Sequence, residues 1–100
     1  MAEAYVIEAA RTAVGKRGGG LAGVHPVDLG ALAWRAIFDR VDVDPAAVDD
    51  VVAGCVDAVG GQAGNIARLS WLAAGYDEAV PGVTVDRQCG SSQQAISFGA

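Results

Sequence analysis

Cys89 lies where a strand-like pattern gives way to a helix-like one. Residues 83–85 are β-branched, residues 86–88 are polar, and the small residues 90–92 open a segment of helical apolar periodicity. The spacing places the sulfur between the end of a strand and the N-terminus of a helix. Unpaired N–H groups and the positive end of a helix dipole favour thiolate over thiol, and the thiolate is the reactive form.

Small residues after the cysteine would serve the same chemistry. Gly90, Ser91 and Ser92 leave room for a substrate to approach the backbone amides, which could stabilise an oxyanion. The stretch therefore predicts a nucleophilic cysteine, Cys89, that forms a covalent intermediate.

The elements that must position Cys89 alternate between strands and helices. In chain order we predict a strand at 5–9, a helix opened by His25-Pro26-Val27-Asp28, a strand at 51–56, a helix at 65–74 ended by Gly75, the strand before Cys89 and the helix after it. This order predicts a parallel α/β layer with its chemistry at the carboxyl ends of the strands.

Apolar spacing predicts which helix faces point inward. The inward positions are Leu29, Leu32, Ala33, Ala36, Ile37 and Val41 on the first helix, and Ile66, Leu69, Leu72 and Ala73 on the second. We expect Trp34 and Trp71 to pack in the core or in an oligomer contact rather than to stack on a ligand.

Two further features have competing interpretations. His25 is the only histidine, and its position at a helix start favours a capping or surface role over that of a catalytic base. Residues 11–23 contain five glycines and a Lys-Arg pair. A flexible or interface loop is favoured there over a phosphate cradle, because the glycine spacings of phosphate-binding loops are missing.

Composition excludes several classes of protein. The 100 residues carry a net charge of −5, which provides no basic surface for nucleic acid or an anionic membrane. The first residues lack a basic targeting segment and no apolar run is long enough for a membrane span, so we expect a cytoplasmic protein. Cys55 and Cys89 match no metal-ligand spacing, and Cys55 is expected to be an inert buried thiol.

Residues 84–92 resemble the nucleophile motif of the thiolases, the acyl-CoA:acetyl-CoA C-acyltransferases. Upstream blocks support the resemblance in the expected order: Glu8 to Lys16, Gln62 with Asn65 to Arg68, and Ala74-Gly75 before Val80 to Val83. Gln93-Gln94 and the Cys-Gly-Ser block are similar to actinobacterial thiolases that shorten steroid side chains.

The resemblance implies an enzyme that cleaves 3-oxoacyl-CoA with CoA, or condenses two acyl-CoA molecules, through an acyl-thioester on Cys89. The backbone N–H of Cys89 would contribute to the oxyanion hole. Coenzyme A would be a co-substrate, with no permanently bound cofactor and no metal. The family also implies a homodimer or homotetramer.

The implied fold is a βαβαβα thiolase half with a mostly parallel sheet. Residues 1–100 would form the N-terminal portion of the thiolase N-terminal domain, ending within the helix after the nucleophile. The base histidine and the second reactive cysteine would lie outside these residues, so residues 1–100 alone are expected to be inactive. Gln62, Asn65 and Arg68 would lie near the subunit interface and the active site, or would simply belong to a capped surface helix.

Two alternatives remain open at the level of the sequence. Asp86 stands where the family commonly has asparagine, and Ser92 where it commonly has glycine. These departures make a non-catalytic, thiolase-like binding or scaffold subunit conceivable. Cys89 could also be a redox-sensing thiol, because helix N-termini activate regulatory cysteines as well.

Overall fold

The computed structural model describes residues 3–100. Its main elements, in chain order, are helix α1 (Pro26–Phe38), strand β1 (Val51–Gly54), helix α2 (Ile66–Ala73), strand β2 (Gly82–Val85) and helix α3 (Ser91–Gly99). Short 3-10 turns lie at Pro45–Ala47 and Gly60–Gln62. The predicted α/β class and the alternation from α1 onward are confirmed.

Strands β1 and β2 form a two-stranded parallel sheet within the described residues. Val51 pairs with Gly82 at one end and Gly54 pairs with Val85 at the other, so the two strands end level with each other. The Cys55 N–H extends the pairing by donating to the Val85 carbonyl at 3.1 Å. The segment that follows β2 therefore starts from the same sheet edge as the segment that follows β1.

Helix α1 begins as its sequence predicts. The His25 Nδ1 accepts a hydrogen bond from the Val27 N–H at 3.1 Å, Pro26 occupies the first turn, and Asp28 complements the helix dipole. The capping role predicted for His25 is confirmed. The predicted inward face of α1 is only partly correct, because Leu32 is 48% exposed while Ala31 is buried.

Trp71 is the centre of the core, with only 1% of its surface exposed. Its ring makes edge contacts with Trp34 at a centroid distance of 6.1 Å and with Phe38 at 5.7 Å, and it packs against Tyr76 at 4.8 Å. The Trp71 Nε1–H is satisfied by the Asp77 carbonyl at 3.0 Å. Both tryptophans thus pack in the core, as predicted.

Helix α2 presents a different face to the core from the predicted one. Leu69 and Leu72 are 43% and 39% exposed, whereas Ala67 and Ser70 are buried. The cause is a close contact between helices: a Cβ at Gly30 of α1 would lie 2.7 Å from the Ser70 Cβ. Small residues permit this approach, and apolar periodicity does not reveal it.

Ser70 is a polar residue in this contact, and its hydroxyl is fully used. It accepts a hydrogen bond from the Trp34 Nε1–H at 2.8 Å and donates to the Ala67 carbonyl at 3.2 Å. Burial of the hydroxyl therefore leaves no unsatisfied group.

The predicted first strand at 5–9 is wrong in this structure. These residues form no strand, and Tyr5, Val6 and Ile7 are 77%, 84% and 71% exposed. A strand requires a hydrogen-bonded neighbour, and the segment has none among residues 3–100. The glycine-rich segment that follows is a series of turns, which confirms the predicted loop. No helix within residues 3–100 is sufficiently long and apolar to span a membrane.

Candidate active site

Cys89 lies in the short connection between the end of β2 at Val85 and the start of α3 at Ser91. Its side chain is exposed and forms no disulfide. The structure thus places the sulfur at the carboxyl edge of the parallel strands and beside the first turn of a helix, where the sequence predicts it.

A tight turn carries the chain into this position. Gln88 adopts a positive φ of 49°, the left-handed region that costs a non-glycine residue about 1–2 kcal/mol. The Asp86 Oδ1 accepts a hydrogen bond from the Gln88 N–H at 2.8 Å. The Gly90 N–H donates to the Arg87 carbonyl at 3.0 Å. The backbone reverses over four residues and aims Cys89 outward.

Ser91 stabilises this turn through buried hydrogen bonds. It is only 4% exposed, and its Oγ accepts a hydrogen bond from the Arg87 N–H at 2.8 Å. The same hydroxyl donates to the Gln88 carbonyl at 2.6 Å, and the Ser91 N–H reaches that carbonyl at 3.1 Å. Ser91 is therefore a structural part of the turn and not, as its small size suggests, only an opening for substrate.

The backbone N–H of Cys89 makes no hydrogen bond within residues 3–100, whereas the N–H groups of Gly90 and Ser91 are both occupied by turn carbonyls. An unoccupied N–H beside a nucleophile is the kind of donor that stabilises an oxyanion.

Gly54 allows α3 to approach the sheet. A Cβ at this position would lie 2.3 Å from the Ser92 nitrogen and 2.4 Å from the Ser91 carbonyl carbon, distances that no side chain tolerates. The first turn of α3 therefore sits directly on the end of β1. Sequence reasoning missed this role, although a glycine inside an apolar strand is a recognised signal of close backbone approach.

A polar link joins α2 to β2. The Asn65 Oδ1 caps α2 by accepting from the Arg68 N–H at 3.3 Å, while its Nδ2 donates to the Gly82 carbonyl at 2.7 Å. The Thr84 hydroxyl donates to the Asn65 Oδ1 at 2.8 Å and accepts from the Ala67 N–H at 3.1 Å. The strand that leads to Cys89 is thus held to the N-terminus of α2.

The other sequence candidates have contacts within the chain. The Gln62 Nε2 donates to the Asp57 carbonyl at 2.8 Å, and the Arg68 guanidinium donates to the Val80 carbonyl. Cys55 is a half-buried free thiol just after β1. His25 is occupied as the α1 cap and lies beside Gly61. Residues 3–100 contain no group of three potential metal ligands.

A polar groove of about 350 Å³ runs along one face of α3. It is lined by Arg87, Gly90, Gln93, Gln94 and Ser97, and Cys89 is not among its lining residues. The Arg87 guanidinium donates to the Gln94 Oε1 in this groove, whereas Asp86 accepts from the Gln88 N–H. The side chain of Arg87 therefore points along α3 and not toward Asp86.

The site thus defines an α/β protein with an exposed cysteine between a parallel strand and the helix that follows it, a position in which a helix N-terminus activates thiols. The chain belongs to the thiolase family: residues 4–100 match the model of the thiolase N-terminal domain.

Named relatives agree with the family. The chain is 86% identical over 100 residues to the steroid 3-ketoacyl-CoA thiolase FadA6 of Mycobacterium tuberculosis, with 100% of this chain and 25% of that protein covered. It is 45% identical over 101 residues to a β-ketoadipyl-CoA thiolase of Acinetobacter baylyi, with 100% and 25% covered. The chain thus spans about a quarter of the length of these relatives.

A solved structure has the same fold. The crystal structure of the Bacillus anthracis acetyl-CoA acetyltransferase superposes with a TM-score of 0.71 at 38% identity, covering 82% of this chain and 21% of that one. The resemblance to thiolases stated from the sequence is therefore confirmed at the level of family and fold.

Proposed function

We propose that residues 1–100 form the first part of a thiolase and supply its nucleophile, Cys89. The observation that carries the proposal is the exposed, free Cys89 thiol between β2 and α3, in a chain 86% identical to a steroid 3-ketoacyl-CoA thiolase. The proposed activity is that of an acyl-CoA:acetyl-CoA C-acyltransferase, in which coenzyme A is a co-substrate.

In the proposed reaction, the Cys89 thiolate attacks the keto carbon of a 3-oxoacyl-CoA. The bond between C2 and C3 breaks, the acyl group stays on sulfur as a thioester, and the leaving carbanion takes up a proton to become acetyl-CoA. The thiol of free CoA then attacks the thioester, releases the shortened acyl-CoA and restores Cys89. The free Cys89 N–H supports a role in holding the oxygen that becomes negative during attack.

The base histidine and the second reactive cysteine of this reaction are proposed to lie outside residues 1–100. The only histidine of the chain, His25, is occupied as a helix cap. We further propose a homo-oligomeric enzyme, a homodimer or homotetramer, on the basis of the resemblance to the thiolase family.

The substrate is proposed to be a steroid-derived 3-oxoacyl-CoA. Support comes from the name of the 86% identical relative, while the alternative, 3-oxoadipyl-CoA, has support from the name of a relative at 45% identity.

The proposed nucleophile and the proposed substrate can both be tested with the full-length protein that contains residues 1–100. We expect mass spectrometry of digested protein to find an acyl adduct on Cys89 after incubation with a 3-oxoacyl-CoA. Turnover should fall at least about 10³-fold in Cys89→Ala, because loss of a covalent nucleophile removes the main route. Cys55→Ala is the matched control and should keep its adduct and its turnover.

Comparison of a steroid 3-oxoacyl-CoA with 3-oxoadipyl-CoA then decides the substrate class, with the former expected to have the higher kcat/KM. An unmodified Cys89, together with unchanged turnover in Cys89→Ala, would reject the catalytic proposal. Reversible oxidation of Cys89 without acylation would favour a redox sensor, and binding of acyl-CoA without turnover would favour a scaffold subunit.

A further inference from the structure

We infer that Ser91 is a positioning residue for Cys89: its buried hydroxyl holds the backbone of residues 87 and 88 in the conformation that exposes the sulfur. This inference rests on the proposed function for its catalytic meaning, although its effect on the reactivity of the thiol can be measured independently.

The backbone of Gln88 is held in an uncommon conformation. With a φ of 49°, Gln88 has a backbone conformation that residues other than glycine and asparagine rarely adopt. Such a conformation persists only when surrounding contacts enforce it. Gln88 directly precedes Cys89, so any relaxation of its φ rotates the nucleophile relative to α3.

Two of the contacts that enforce this conformation converge on one atom, while the Asp86 Oδ1 and the Ser91 N–H make two further hydrogen bonds to Gln88. The Ser91 Oγ lies 2.8 Å from the Arg87 nitrogen and 2.6 Å from the Gln88 oxygen. The hydroxyl therefore spans the peptide units on both sides of the Arg87–Gln88 link, accepting from one and donating to the other. Alanine at position 91 would leave both backbone groups without this partner.

Burial and close packing against β1 restrict the position of Ser91. It is 4% exposed, and the backbone of Ser91 and Ser92 lies against Gly54 at the end of β1. Packing against β1 therefore fixes the position of the Ser91 hydroxyl, and the two hydrogen bonds of this hydroxyl fix the turn. Cys89 lies outside both strands and outside α3, so its position depends on the turn that Ser91 holds.

The test uses the full-length protein and the variants Ser91→Ala and Ser91→Thr. Misplacement of a reacting group by about 1 Å can cost roughly 10²-fold in rate, so we expect Ser91→Ala to lower kcat about 10- to 100-fold while KM changes less than about threefold. Threonine keeps the hydroxyl and should restore at least part of kcat. Ser70→Ala is the matched control, since it removes another buried hydroxyl that makes two hydrogen bonds but lies on α2, and it should leave kcat near the wild-type value.

Iodoacetamide alkylation of Cys89 over a range of pH gives a second readout that simple loss of stability would not move. In Ser91→Ala the alkylation rate or its pH midpoint should differ from the wild type, with Ser70→Ala unchanged. Should Ser91→Ala fail to fold, the pair Gln88→Gly and Gln88→Gly/Ser91→Ala replaces it. Glycine tolerates the positive φ, so the rate should depend less on residue 91 in that background.

Equal kcat and equal alkylation profiles in Ser91→Ala and Ser70→Ala would overturn the inference. An unacylated wild type would reject the thiolase proposal instead, and the alkylation profiles would still decide the role of Ser91. The two failures are therefore distinguishable.

Discussion

At the scale of single residues, the position of Cys89 depends on residues that are buried or that lack a side chain. Ser91 uses its hydroxyl inside the turn, and Gly54 contributes only the absence of a side chain. The sequence predicts the chemistry of Cys89 well, since a thiol before small residues and a helix is a local pattern. It does not predict these supports, because they depend on contacts between positions 54 and 91 that no local pattern records.

Gly54→Ala tests the close approach. A methyl group 2.3 Å from the Ser92 nitrogen must displace α3, and overpacking of this kind costs about 1–3 kcal/mol. We expect a lower denaturation midpoint and slower alkylation of Cys89. Gly20→Ala is the control, because a Cβ there meets nothing within 4 Å, and it should change stability by less than about 0.5 kcal/mol. Equal stability of both variants would contradict the role given to Gly54.

At the scale of elements, the helix starts and the end of α2 were predictable, whereas the end of α1 and the helix faces were not, since α1 ends at Phe38 and leaves the predicted inward residue Val41 outside the helix. The caps at His25 and Asn65 and the terminator Gly75, with its φ of 86°, are local features that the sequence displays. The inward face of α2 was mispredicted because Ser70 and Gly30 allow a close approach of α1, which exposes Leu69 instead. The strand at 5–9 failed for a related reason: strand formation needs a neighbour, and β propensity alone does not supply one.

Thr84→Val tests the link between α2 and β2. Valine keeps the shape but removes the hydroxyl, leaving the Ala67 N–H without its acceptor, at a cost of about 1–3 kcal/mol. Urea denaturation should detect this loss. Val83→Thr makes the reverse change on the same strand at a position 43% exposed and should be nearly neutral. If Thr84→Val proved as stable as Val83→Thr, the hydrogen bonds of the Thr84 hydroxyl would contribute little to stability.

At the scale of the whole molecule, one aromatic cluster unites α1, α2 and the segment before β2. Tyr76 packs on Trp71 and on Phe38, with centroid distances of 4.8 and 5.2 Å. Burial raises the pKa of the Tyr76 phenol above its ordinary value of 10.0, and the nearby Asp39 carboxylate raises it further, against an opposing effect of Arg35. The folded state therefore favours the neutral phenol.

The sign of this shift sets a pH dependence. Because the folded pKa exceeds the unfolded one, the contribution of Tyr76 to stability is complete below about pH 10 and is lost as pH rises through the folded pKa. We expect the melting temperature of the wild type to fall more steeply above pH 10 than that of Tyr76→Phe, which cannot ionise there. Parallel slopes in a thermal-denaturation series from pH 8 to 11 would refute this expectation.

The buried core has one property that bears on how the protein is made. Its central residues, Val51, Ala67, Trp71 and Val80, all precede Cys89 in the chain. A ribosome works from the N-terminus, and domains generally begin to fold as they emerge. Translation thus delivers these core residues ahead of the thiol, whereas Ser91, whose hydroxyl holds the turn around Cys89, leaves the ribosome just after it.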